Sequence, residues 1–448
     1  MGSKLCTIKK DNMKKISISL LFILSISFYL IGQDLVPVGN GISSAYGIYS
    51  GTVTYNNCIY CCDNGHIFKW DGSNWSNLGI TCNYSIICME VYNNELYVGG
   101  WFTSFNGISA NRIIKYNGTT WQTVGNGVNV ENGIIGGVEK MIVYQNKLIA
   151  IGGFIHAGTI QASHIASWDG NIWDSLGSGI NKLASTPSMC VFNNELYVFS
   201  LIDSAGGIPV HNAAKWDGSN WSQVGTGISY WPVSSTVYDS SIYVGLNITT
   251  CYNHSLIVRW DGTNWSNDEQ DLSHHGWHYV SALTSFNSVL YATGMFDTLN
   301  GVSVNNVVKL DSTWIPVDSG VMGSGQFFTV LDSELYMTGD FVVSGLDTVN
   351  NIVLFCSPPL CEYGVEEKLS NECLLRFYPN PSTDVITIEN EKKQGLTLFI
   401  YNIIGEQMLN VRLDNYLNEI RISSLTSGIY IIKVIGKNFI SQKKLIKE

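Results

Sequence analysis

The sequence predicts an all-β protein, a seven-bladed β-propeller followed by a C-terminal Ig-like β-sandwich, and three observations carry that expectation. An aromatic residue, Asp-Gly or Asn-Gly, two variable residues and Trp recur at intervals of 44 to 52 residues. Seven further signals, six opening on an aromatic and one on Leu331, each with two polar residues ahead of alternating apolar positions, run through the same region. A segment near the start of the chain repeats the piece that the last unit lacks. A period of this size suits one four-stranded blade per repeat.

Residues 1–12 read as an upstream extension, because Met13-Lys14-Lys15 restarts the chain with positive charge. An apolar run broken only by hydroxyls follows from Ile16 to Ile31, and Gly32-Gln33 offers a small residue at a cleavage boundary. This is the pattern of a signal peptide. A retained membrane anchor is the alternative, but the run is short for a span and no second one follows. Residues 33–356 are then expected to form the propeller, 357–369 a linker and 370–448 a separate β-domain.

The Trp repeat spans Trp70 to Trp75, Tyr116 to Trp121, Trp168 to Trp173, Trp216 to Trp221 and Trp260 to Trp265, with a degenerate sixth copy at Leu310 to Trp314. The polar-turn signals begin at Tyr55, Tyr92, Tyr144, Phe192, Tyr238, Phe286 and Leu331. Both patterns read as hairpins, the first with glycine accepting the positive φ of a tight turn. The last unit ends near Phe355 without a Trp strand. Leu35-Val36-Pro37-Val38-Gly39-Asn40-Gly41 matches Trp121 to Gly127 closely enough to supply that strand and remove an open edge. The repeated Trp residues are expected to fill space between neighbouring blades.

Charge excludes one class of partner. From Gln33 to Phe355 there are 24 acidic and 9 basic residues, a net of minus 15, whereas Ser370 to Glu448 holds 8 and 10. No basic cluster offers a nucleic-acid footprint. Of eleven cysteines, Cys58, Cys61 and Cys62 crowd one segment and Cys356, Cys361 and Cys373 another, where export would permit disulfides. Cys61 and Cys62 are adjacent and face opposite sides of any strand, which argues against a shared zinc site.

In an up-and-down blade both tight turns lie on one rim and both long connections on the other face, where function is commonly grafted. One long set holds Trp101, Phe105, His156, His164, His211, His254 and Phe296; the other holds Tyr46, Tyr49, Tyr230, Trp231, His274, His275 and Trp277. Trp101, Tyr230, Trp231, Trp277, His274 and His275 are the leading ligand-binding candidates, the aromatics as stacking platforms and the histidines as polar reach. His274-His275-Gly276-Trp277-His278 lies in a loop or at a strand start, so helical zinc-site logic does not apply. No nucleophile elbow, zinc helix, phosphate loop or dinucleotide fingerprint occurs, and no catalytic residue, metal or cofactor is assigned.

The C-terminal segment carries Phe377-Tyr378-Pro379-Asn380-Pro381-Ser382, Phe399 to Glu406, Leu425-Thr426-Ser427-Gly428-Ile429-Tyr430 and Lys443-Lys444-Leu445-Ile446-Lys447. With strands expected around 385–388, 397–401, 419–422 and 429–434, it resembles the type A C-terminal sorting domain of type IX secretion substrates from Bacteroidota. The motif residues are Tyr378, Pro379, Asn380, Pro381, Gly405, Gly428 and Tyr430. That resemblance implies inner-membrane export by the signal peptide, outer-membrane passage through the type IX machinery, and release or surface attachment. The repeat region loosely resembles the kelch and galactose-oxidase-like class: Gly99-Gly100 and Gly152-Gly153 fit its paired glycines, Phe199-Ser200 does not, and no copper site is present.

These readings converge on a secreted or cell-surface propeller that binds an extracellular glycan or protein. A secreted polysaccharide-active or other enzyme on the same scaffold is the alternative, and a structural surface protein is a third.

Overall fold

The computed structural model describes residues 34–356 and 376–447, apart from 45–46, 131–135, 184–185, 249–254, 268–271, 274–277, 319, 345–346, 379–381, 390–395, 403–406, 414 and 437–438. The leader and the linker expected from the sequence lie outside them. The chain divides into two compact units, Met1–Cys361 and Glu362–Glu448. Both are all-β, built from small and largely antiparallel sheets.

Among the described residues the first unit holds seven successive groups of four strands. Their first strands are Gly51–Tyr55, Ile86–Tyr92, Val138–Tyr144, Ser188–Phe192, Trp231–Tyr238, His278–Phe286 and Met322–Leu331. In each group the four strands pair in simple succession. Groups five and six are also joined, at Asn247 with Tyr279 and Ile248 with His278.

Local chemistry explains the hairpins. All seven turns between first and second strands place both central residues at positive φ, from Asn56 and Asn57 to Asp332 and Ser333. This is the geometry of a two-residue turn whose twist matches its strands, and Asn, Asp and Ser tolerate it. The Asp-Gly hairpins are longer by two residues than the polar turns. Trp70 faces Trp75 across the pair, so Asp71 to Asn74 form a four-residue loop. Gly72 has φ 94, and the Asp71 carboxylate accepts the N–H groups of Ser73 and Asn74 at 2.9 and 2.8 Å. Asp169, Asp217 and Asp261 repeat the arrangement. Hydrogen bonds from Asn264 and Thr263 draw the Asp261 carboxyl down to about 2.

The tryptophans join one sheet to the next. Each of four pairs packs across its hairpin, with ring centroids 5.3, 5.2, 5.4 and 5.2 Å apart. The second indole then donates to a carbonyl of the preceding repeat: Trp75 to Val38 at 3.1 Å, Trp173 to Val124 at 3.3 Å, Trp221 to Leu176 at 2.8 Å and Trp265 to Val224 at 2.9 Å. Gly125, at φ 53, follows one such carbonyl, and a side chain there would press on the Trp168 ring.

The strand Asp34–Pro37 pairs with Ile352–Cys356 in the register Leu35 to Phe355 and Val36 to Leu354, completing the seventh group. Val38 accepts from Trp75 of the first group as the other repeats do. Asn350 and Asn351 donate their amide side chains to the carbonyls of Asn40 and Ile42.

The long connections are more ordered than the sequence suggested. Ser104–Phe105 pairs with Ile108–Ser109, His156–Ala157 with Ile160–Gln161, Ser204–Ala205 with Ile208–Pro209, and Thr298–Leu299 with Val302–Ser303. These ribbons cover apolar groups, and Phe105 and Phe296 are fully buried rather than presented to a ligand. Cys58, Cys61, Cys62, Cys82, Cys88 and Cys190 are free thiols, five of them buried, while the side chains of Cys356, Cys361 and Cys373 lie outside what is described. Cys61 and Cys62 enter different apolar clusters, as adjacent strand residues must.

In the second unit, Arg376–Tyr378, Val385–Glu389 and Leu417–Arg421 form a three-stranded sheet. Leu396–Asn402, Gln407–Leu413, Gly428–Gly436 and Phe439–Lys447 form a four-stranded one. Ile386, Ile388 and Ile420 of the first share one buried cluster with Leu398, Ile400, Ile432 and Val434 of the second. The strands at 376–378, 407–413 and 439–447 were not anticipated.

Candidate functional site

The first strands of the seven groups lie side by side in succession, and the first also meets the seventh. Hydroxyls tie them together. Ser188 reaches Ser235 at 2.8 Å, Ser234 donates to the Val280 carbonyl at 2.6 Å, and Thr54 meets Thr329 at 3.0 Å. Five of these strands carry an irregular register near their start, at 86–88, 138–140, 232–234, 279–282 and 325–327. Such bulges leave residues unpaired and re-aim side chains.

All seven strands line one cavity of about 620 Å³. Its walls hold Glu90, Glu139, Lys140, Asn247, Gln326 and several hydroxyls, with Tyr49, Trp101, Trp231, Tyr279 and Phe327 as aromatics. The Lys140 ammonium lies 5.9 Å from the Phe327 ring centre, so groups three and seven approach each other across this space. The hydroxyl of Tyr49 donates to the Asp340 carboxylate, and burial, then that carboxylate, raises the Tyr49 phenol well above its ordinary value.

Two carboxyls are perturbed most. Burial lifts Glu90 to about 7 against the opposing pull of the Val91 N–H and Lys140. Burial likewise lifts Glu139 to about 7, opposed by the Thr186 N–H at 3.3 Å. Each is half-buried by exposed area but sits among protein atoms deep in a concave wall. A raised carboxyl makes the folded chain bind more protons than the unfolded chain between the ordinary value of 4.5 and about 7. The stability these groups contribute is therefore complete below pH 4.5 and lost as pH rises through about 7. The double substitution Glu90→Gln, Glu139→Gln is expected to raise the thermal midpoint at pH 8 and leave it nearly unchanged at pH 4.5; a scan at both values checks this.

Three polar atoms in the same walls are buried without a protein partner: the indole Nε1 of Trp101, the indole Nε1 of Trp231 and the Oδ1 of Asn247. Trp101 and Trp231 were singled out from the sequence, and the structure brings both to the cavity. Tyr230 instead packs against the apolar cluster of groups four to six. His274, His275 and Trp277 lie outside the described residues. His164 donates through Nδ1 to the Gly152 carbonyl, 3.2 Å away. Glu90 and Glu139 were not found from sequence, because the bulges break the alternation that would have shown which way they point; Asn247, on the unbroken strand Ser241–Ile248, was not singled out either.

In the second unit Tyr378 is 46% exposed, whereas Tyr430 is buried and donates to the Thr426 carbonyl at 2.9 Å. Gly428 opens its strand; Pro379, Asn380, Pro381 and Gly405 lie outside the described residues.

Residues 376–448 match the secretion system C-terminal sorting domain family. The chain carries a type IX sorting domain. The protein is thus secreted or held at the outer cell surface, and its export engages the type IX machinery. Among the described residues no helix is long and apolar enough to cross a membrane. No curated protein matches the chain in sequence. Among solved structures it is similar to PorZ, a bacterial surface component of the type IX secretion system of Porphyromonas gingivalis, at 12% identity and a TM-score of 0.45, covering 91% of this chain and 61% of that one. It is similar also to an acylaminoacyl peptidase of Pyrococcus horikoshii, at 12% identity and a TM-score of 0.41, covering 80% and 59%. The chain thus spans about three fifths of the length of each.

Proposed function

We propose that the protein is an exported binding protein whose seven four-stranded groups close into a seven-bladed β-propeller, with an extracellular ligand received in the cavity that the first strands enclose. The observation that carries this reading is a single cavity lined from all seven groups, with the unpartnered indole N–H groups of Trp101 and Trp231 in its walls. Ring closure is supported by the contact between the first and seventh first strands and by the pairing of Asp34–Pro37 with Ile352–Cys356. The two sheets of the second unit, sharing one core, support an Ig-like sandwich there. The corresponding domains are residues 33–356 and 370–448, joined by 357–369. His274, His275 and Trp277 belong to the connection between groups five and six and complete the candidate set.

The ligand is a glycan or protein outside the cell. Glycan-array and surface-protein screening of the mature chain should yield a ligand whose affinity falls about thirtyfold on Trp231→Ala, the loss that corresponds to roughly 2 kcal/mol for a true hot spot. The thermal transition should stay in place. A ligand indifferent to Trp101→Ala and Trp231→Ala, or a footprint on the rim around Asp71, Asp169 and Asp217, removes this reading. The enzyme alternative gains one specific observation, two carboxyls near 7 in one cavity, a poise that suits proton transfer. Polysaccharide turnover abolished by Glu139→Gln would decide for it.

A further inference from the structure

One position recurs just before the third strand of groups two, three, four, six and seven, at Arg112, His164, Asn212, Asn306 and Asn351. In all five its φ is positive, between 59 and 70. Its N–H donates to the carbonyl ten residues earlier, Phe102 in the case of Arg112, at 2.7 to 3.0 Å. Asn tolerates that backbone better than most residues do. The three asparagines also donate their side-chain amides to the connection into the following group, at 2.8 to 3.1 Å. Group three carries a histidine whose Nδ1 donates to Gly152 of its own group. Group two departs furthest, with a charged side chain where the fold is served by asparagine. The Arg112 Nε–H reaches the following connection as the asparagines do, at the Gly136 carbonyl 2.9 Å away. The four N–H groups on its two terminal nitrogens are surplus to that task.

Among the described residues Arg112 forms no ion pair, although acidic residues outnumber basic ones by 24 to 9 from Gln33 to Phe355. Lys115, Lys147, Lys182 and Lys215 all find carboxylates. Arg112 is half-buried, and burial lowers its guanidinium from the ordinary value. Glu139, three residues beyond Gly136, turns toward the connection into group four, where it accepts the Thr186 N–H at 3.3 Å. A guanidinium partly withdrawn from water without a counter-charge is costly until an anion completes it.

Arg112 stands beside the cavity. Its backbone bonds to Gly100 and Phe102 at 3.0 and 2.8 Å, on either side of Trp101, which lines the cavity. The Trp101 N–H donates to the Ser85 carbonyl at 2.9 Å, which ties the neighbour of Tyr84 to the same short segment. Tyr84 is 60% exposed. An arginine fork meets both oxygens of a carboxylate or sulfate, and aromatic faces suit the apolar side of a sugar ring. The N–H groups of Gly100 and Trp101 and the carbonyl of Phe102 are already bonded, so the segment offers a peptide no open strand edge.

We propose that Arg112 is the anion-binding residue of the ligand site, receiving the carboxylate or sulfate of an acidic saccharide whose rings lie against Trp101 and Tyr84. This rests on the reading of the cavity as the ligand site and adds the ligand's charge and two residues outside the cavity lining, Arg112 and Tyr84.

The test is a glycan array with neutral, uronate-bearing and sulfated members, probed with the mature full-length chain, then calorimetric titration of the best hit and of a hexaglutamate peptide. The best hit should carry a carboxylate or sulfate, and Arg112→Asn should weaken its binding about tenfold or more. That variant restores the residue of three sister groups and should keep the thermal midpoint of the parent or exceed it, which separates a ligand contact from a structural one. Arg112→Lys keeps the charge without the fork and should retain only part of the affinity. Tyr84→Ala should weaken the same hit by a smaller factor. A neutral hit that depends on Trp231 but not on Arg112 overturns the anion site and leaves the cavity reading standing. Binding of hexaglutamate alone, or of no acidic member of the array, overturns the ligand class. A lowered midpoint in Arg112→Asn assigns the arginine to the fold and overturns the proposal. A ligand indifferent to Arg112, Trp101 and Trp231 overturns both readings.

Discussion

Deleting residues 34–42 from the mature chain is expected to lower its urea midpoint by at least half and drive the protein toward aggregation. Leu35, Val38 and Ile42 are 3%, 5% and 1% exposed, and burying such side chains contributes about 1.5 to 3 kcal/mol each. Their sum, roughly 5 to 9 kcal/mol, is comparable with the whole stability of an ordinary domain, about 5 to 15 kcal/mol. The deletion also strips Trp75 of its acceptor and leaves the buried Asn351 amide without the Ile42 carbonyl. It bares the edge of Ile352–Cys356, which then offers unpaired backbone to other chains. Tryptophan fluorescence against urea measures the midpoint, and size-exclusion chromatography the aggregation. An unchanged midpoint in the shortened chain would show that the segment is a tail and that ring closure fails.

Ending the chain at Glu366 is expected to abolish surface delivery in the native host, with folded protein retained in the periplasm. The sorting domain lies entirely beyond that point. Among the described residues each buried apolar cluster belongs to one unit alone, so the first unit is expected to keep its core when the second is removed. Fractionation with surface proteolysis measures delivery, and calorimetry of the purified fragment measures folding. Normal surface exposure of the fragment would contradict the address function. Loss of its cooperative transition would contradict the independence of the units.

The repeat architecture was legible because its signals are local. Turns such as Asn93-Asn94 announce positive φ in the sequence itself, and the N-terminal strand was recoverable because Val38-Gly39-Asn40-Gly41 copies a segment found elsewhere. The indole bonds to preceding carbonyls were not legible in detail, although the spacing of the tryptophans pointed to packing between sheets. The cavity walls were less accessible still. Alternation assigns a strand residue to a face only while the pleat is unbroken, and the irregular registers around 86–88 and 138–140 break it just where Glu90 and Glu139 follow. Phe105 and Phe296 misled for the converse reason: aromatics in long connections read as exposed, but the connections fold into ribbons that bury them.

The pairing of Leu35 with Phe355 also sets a timetable. The strand that is synthesised first cannot be placed until a partner 320 residues later, from 35 to 355, has been made. At about 5 to 20 residues per second this delay is roughly 15 to 60 s. Contacts so distant in the chain are slow to form even once both partners exist. Throughout that interval Asp34–Pro37 lacks the strand it pairs with, and its backbone stays open to other chains.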